Sequence, residues 1–145
     1  MKLVDVSETV MIVVGAAERA ERDRALAETL CREIDGRADG QPYRRAVVVA
    51  DVEFLERPEL HRHPTIAVGG PGVNAVVQRL VDELPTMWEQ DERAFVQGEF
   101  DEVKRVAIWG TDAAATARAV EAFLTGGYLD LLLDRIWRAR PTVWM

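Results

Sequence analysis

Two acids at the ends of apolar runs carry the first sign of chemistry. Asp51 closes the run Arg45–Asp51, and Asp112 follows the run Lys104–Gly110. A carboxylate held at an open strand end can bind Mg²⁺ or act as a general base, and the same group can cap a following helix. Asp51 and Asp112 are therefore the candidate catalytic residues, with capping as the competing role for each. Gly70-Pro71-Gly72-Val73-Asn74-Ala75 matches G-x-G-x-x-A between an apolar run and a helical pattern. That is the context of a phosphate cradle, which needs free backbone N–H groups and a positive helix end. Pro71 removes one donor, and the motif follows the third strand run, where the dinucleotide fingerprint follows the first. A tight turn without a ligand is the competing reading. Gly15 and Thr111 fall at the ends of two other runs, so the expected ligand-binding set is Gly15, Gly70, Gly72, Asn74 and Thr111. Trp109 either lines the same crevice or is buried between sheet and helix.

Other chemistries find little footing. His61 and His63 are the only histidines, and at i, i+2 in an extended segment they point the same way. A two-His metal site is geometrically possible, but no Cys or i+4 His completes it. The single cysteine, Cys31, excludes an internal disulfide and a Cys-based zinc site, and its place on an apolar helical stripe favours an inert thiol. Ser7 is the only serine and precedes the first strand run, so a serine triad lacks a nucleophile. There is no Gly-Lys-Ser/Thr P-loop. No metal or cofactor is implied, and whether the chain is an enzyme stays open.

Four apolar runs must position these residues. Thr9–Gly15, Arg45–Asp51, Thr65–Gly70 and Lys104–Gly110 are short and mostly rich in β-branched residues, as buried strands are. Helical spacing covers 16–35, 71–84, 113–124 and 128–138. In the first, Leu26, Ala27, Leu30, Cys31 and Ile34 form the inner stripe. In the second, Val73, Val76, Val77, Leu80, Val81 and Leu84 recur at i, i+3, i+4, i+7, i+8 and i+11. Residues 52–64 read as a loop or one or two helical turns. Residues 93–97 can form a strand, with a partner starting at Met87–Trp88. This order predicts an α/β fold of three layers, a mostly parallel sheet of four to five strands with helices on both faces, Rossmann-like in kind. All strand C-terminal ends then share one edge, where open α/β sheets bind ligands.

The whole composition agrees with a single α/β domain over 1–145 that ends in an apolar helix and tail. Of 145 residues, 48% are hydrophobic and 30% charged, which is too apolar for disorder. The formal net charge of −7 argues against a nucleic-acid partner, whose phosphates need neutralising. No apolar stretch is long enough for a membrane span. Neither the N-terminal residues nor the lone cysteine suggest export, so a cytoplasmic location is expected. Eight acids between Asp82 and Glu102 face only Arg93, a pattern read as a solvated loop or edge strand, or as a face for a basic partner. Trp137, Val143, Trp144 and Met145 are the expected interface, since an apolar terminus with two tryptophans needs cover from the domain or from another chain.

The segments Thr65–Asn74 and Ala107–Leu124 together resemble the α/β module of archaeal S-layer proteins. There a Gly-Gly-Pro…Asn turn is followed by a strand, a Gly and an Ala-rich, Thr-containing helix. The likeness covers about 60 residues, 65–126, through two short motifs. It implies a scaffold role in assembly, with Gly69, Gly70, Pro71 and Asn74 shaping a turn. This sequence shows no leader or companion domain, which sets it apart from a surface coat. The expected function is a non-enzymatic α/β module for protein interaction or self-assembly, as a homo-oligomer or with a protein partner. The alternative is a domain that binds or hydrolyses a small molecule, nucleotide or phosphate ester at the Gly-rich edge. Ligand, partner, strand order and stoichiometry are not legible.

Overall fold

The computed structural model describes residues 5–137. Their elements run β1 (Thr9–Val14), α1 (Glu21–Gly36), β2 (Arg45–Ala50), α2 (Asp51–Glu56), β3 (Thr65–Val68), α3 (Ala75–Leu80), β4 (Thr86–Gln90), β5 (Ala94–Glu99), β6 (Arg105–Gly110), α4 (Ala113–Thr125) and α5 (Tyr128–Ile136). Short 3₁₀ turns at Glu18–Ala20 and Pro58–Arg62 lead into α1 and out of α2.

The strands form one six-stranded sheet in the order β2-β1-β3-β6-β5-β4. β2, β1, β3 and β6 are parallel, whereas β5 runs antiparallel to both β6 and β4. The expected mostly parallel sheet of four to five strands is thus corrected to a mixed sheet of six. The cause lies in the connections. A parallel neighbour needs a crossover of about a dozen residues or more. Only a three-residue turn separates β4 from β5, and a short loop ending at Lys104 joins β5 to β6.

β1 is buried along its whole length, which is why it reads as an unbroken apolar run. Its alternate residues enter two separate cores. Val10, Ile12 and Val14 pack with Ala27, Leu30 and Ile34 of α1 and with Phe123, Leu129 and Leu132 of α4 and α5. Met11 and Val13 pack with Phe54 of α2 and with Val76, Val77 and Leu80 of α3. Each fully buried aliphatic or Phe side chain contributes about 1.5–3 kcal/mol.

α3 is shorter than the expected 71–84. Val73 and Asn74 both donate to the Gly70 carbonyl at 3.0 Å, so the chain turns before the helix begins. After Leu80, turns keep the helical spacing and bury Leu84. Residues 52–64 resolve into α2 and the 3₁₀ turn. Among the described residues no helix is long and apolar enough to cross a membrane.

Candidate functional site

The parallel strands bring the C-terminal ends of β1, β2, β3 and β6 to one rim. From β1 the chain steps outward to β2 and then returns past β1 to β3. The crevice between β1 and β3 is therefore where the winding reverses, the usual ligand position in such sheets. In this molecule the 70–74 loop packs into that crevice and leaves above it a hollow of about 350 Å³ lined by Ala16, Asp51, Gly72, Asn74 and Gln78. A Cβ on Gly15 would lie 2.0 Å from the Val73 carbonyl oxygen, so only glycine lets the 70–74 loop sit there.

Asn74 and Asp51 hold the loop in place. Asn74 is fully buried. Its Nδ2 donates to Val13 O at 3.0 Å and Val68 O at 2.9 Å, and its Oδ1 accepts from Val76 N and Val77 N. One side chain thus ties β1 to β3 and caps α3. Asp51, 6% exposed, accepts from Ala16 N and Val52 N on Oδ1 and from Ala75 N at 2.8 Å on Oδ2. Both of its oxygens are engaged by backbone. Asp112 is exposed and caps α4, accepting from Ala115 N at 2.7 Å.

A second opening lies one strand further along, between the ends of β3 and β6. It is a cavity of about 400 Å³ walled by the Gly70–Val73 loop, Trp109, Gly110 and the start of α4, with Thr111 at its mouth and Arg19 and Asp23 on the α1 side. Of the expected ligand set it gathers Gly70, Gly72 and Thr111. Asn74, with Gly72, lines the neighbouring hollow, and Gly15 lies beneath the 70–74 loop. Trp109 is half-buried, stacked on Phe95 at 4.3 Å, and its indole N–H donates to Gln97 Oε1 at 2.6 Å.

Asp23 is the unusual group. It is 5% exposed, and its carboxylate lies against Gly69, where a Cβ would meet Oδ2 at 2.6 Å. Gly69 also has φ +118°, so glycine is required there for conformation and for space. Asp23 has no hydrogen-bond or ion-pair partner among the described residues. The only fully enclosed side-chain polar atom without a partner among them is Arg45 Nε, so the Asp23 oxygens keep some contact with the cavity. Burial pushes the Asp23 carboxyl above its ordinary range, and Arg24 opposes that. The Arg24 Nη1 is itself engaged by Gly15 O and Ala17 O, at 3.1 Å each. Arg19 donates to Gly72 O at 2.6 Å.

Sequence reasoning missed Asp23 and Arg19. A signal for Asp23 was present: extending the buried stripe Ala27, Leu30, Ile34 back by one turn lands on position 23, an acid on an inner face.

The remaining candidates lie elsewhere. His61 stacks on Phe54 and its Nε2 meets Phe54 O at 2.7 Å, whereas His63 Nδ1 meets Thr9 O at 2.9 Å, so the two rings serve different backbone carbonyls. Among the described residues no group of three or more His, Cys, Asp or Glu could hold a metal ion. Burial pushes the Cys31 thiol up, helped by Asp35, which disfavours the reactive thiolate. Trp137 is 8% exposed and packs inside the chain, its indole donating to Glu8 O at 2.8 Å. Val143, Trp144 and Met145 lie outside the described residues. A hollow of about 560 Å³ at the opposite end of the sheet holds His61, Glu99 and Arg105, each already bonded to backbone.

In comparison with known proteins, no family model matches this chain, and no curated protein or solved structure matches it.

Proposed function

We propose that this chain is a small-molecule-binding α/β module that recognises its ligand in the cavity between β3 and β6. The single observation that carries this reading is a nearly buried carboxylate, Asp23, without a partner among the described residues at the wall of a 400 Å³ cavity. Buried polar groups in folded proteins are almost always hydrogen-bonded, and an unmet one costs about 1–3 kcal/mol or more when charged. A ligand that supplies the missing donors accounts for the cost. The cavity's size is also that of a small-molecule site.

Binding is favoured over catalysis because the two candidate acids have other work. Asp51 is a clasp between loops and Asp112 a helix cap. The two cores on alternate faces of β1 support a doubly wound, Rossmann-like layering for the parallel half, with the site displaced by one strand from the reversal point. Of the residues expected to form an interface, Trp137 packs within the chain, and Val143, Trp144 and Met145 lie outside the described residues.

The test is a fragment screen read by backbone amide shifts. Hits are expected to move the amides of 69–73 and 109–113 together. Hits confined to 61–62 and 99–105, or none at all, would overturn the reading.

A further inference from the structure

The chemistry of the cavity wall narrows the ligand class. The Gly-rich turn has the outline of a phosphate site but, among the described residues, keeps only the Gly70 and Gly72 N–H groups free. Pro71 has no N–H. Val73 N and Asn74 N donate to Gly70 O, Ala75 N to Asp51, and Val76 N and Val77 N to Asn74. The run of donors from Val73 to Val77 is therefore engaged inside the protein. At the start of α4 the capping carboxylate of Asp112 stands where an incoming anion would sit, and it repels one. Arg19 is the only cationic residue of the wall, and one of its amino groups is already held by Gly72 O.

Asp23 points the opposite way. A carboxylate in little water, with no donor among the described residues, is satisfied best by a group that brings both positive charge and N–H bonds. Pro71, Val73 and Trp109 offer apolar contact beside it. We propose that the cavity binds a small organic cation, an amine or amidine on a compact apolar body, with its N–H groups on the Asp23 carboxylate. This rests on the binding reading above.

The experiment uses three probes of similar shape on the wild-type chain: benzamidine as the cation, benzamide as the neutral form and benzoate as the anion. Amide shifts at 69–73 and 109–113 report occupancy. Benzamidine is expected to bind at least about tenfold more tightly than benzamide, with benzoate weakest, since hydrogen bonds to charged groups differ by that much. Asp23→Asn should abolish the preference of benzamidine over benzamide. Equal binding of all three, preference for benzoate, or an unchanged preference in D23N would overturn the proposal. Because the probes are compared on the wild-type chain, the proposal stays testable even if the variant does not fold. Silence with all three probes, with fragments still binding at the same amides, overturns the cation class alone. Silence in both experiments overturns the binding reading with it.

Discussion

Three carboxylates lie at the strand-end rim, Asp23 and Asp112 at one hollow and Asp51 at another, and their surroundings give them different work. Asp51 takes three backbone N–H groups, Asp112 takes one, and among the described residues Asp23 takes none. Backbone donors stabilise a charged carboxylate, and their absence in a buried place does the reverse. For Asp23, burial raises the folded-state pKa above its ordinary value near 3.8, with Arg24 pulling the other way. The folded chain then holds that proton more firmly than the unfolded chain does. Stability contributed by this group is therefore lost as pH rises from the ordinary value through the raised one, and the full cost is present above both. Asp23→Asn removes the charge and keeps the shape. It should stabilise the protein at pH 7 by about 1 kcal/mol, and the gain should fade as the pH falls toward the ordinary carboxylate value. Urea unfolding at several pH values checks this; a D23N variant less stable than wild type at pH 7 would mean that a partner for the carboxylate exists. A side chain that weakens the fold and faces a cavity is what a binding role would retain.

The β4–β5 hairpin shows how far element reading reaches. Its turn places Asp91 at φ +53° and Glu92 at φ +56°, closed by Arg93 N on Gln90 O at 2.9 Å. Left-handed conformation at both central positions matches the strand twist and normally selects Asn-Gly or Asp-Gly. Here a glutamate holds the second position against its preference, so Glu92→Gly should raise stability by about 0.5–1 kcal/mol, the relief of strain less the added chain entropy. A shift of the urea midpoint measures it, and a loss of stability would show that the Glu92 side chain makes a contact worth more than the strain. The same residues explain why this hairpin was hard to see in the sequence. Without a glycine or asparagine the turn gave no signal, and β4, an edge strand with Thr86, Glu89 and Gln90 exposed, lacks clean alternation. The four parallel strands were legible for the opposite reason, since central strands covered on both faces must be apolar throughout. The length of α3 misled because turns on either side keep helical spacing, and a burial pattern alone cannot tell a turn from a helix.

Over the whole molecule, what could not be read was non-local. That the 70–74 loop packs into the β1–β3 crevice depends on the Gly15–Val73 approach and on the Asn74 bond to Val13, contacts between residues some 60 positions apart. No local pattern encodes them, so the strand ends were legible as a rim but not the shapes of the hollows between them. The C-terminal end of α5 gives a second case. Trp137 has the look of an interface residue in sequence, but the fold brings it beside the first turn of the chain. There its indole N–H donates to Glu8 O at 2.8 Å, its carbonyl accepts from Arg44 Nη2 at 2.9 Å, and the Arg44 guanidinium lies 5.8 Å from the ring. Arg44 also pairs with Glu8 at 2.8 Å, so one cluster joins the two ends of the described chain to the start of β2. Trp137→Ala removes a core indole, its hydrogen bond and its cation contact, and should cost about 3–5 kcal/mol. Chemical denaturation and sedimentation on the same samples separate the two roles of this residue. A large loss of stability with the sedimentation coefficient of the folded protein unchanged is expected from a side chain that closes the fold. A changed coefficient with stability preserved would instead return Trp137 to an interface between chains.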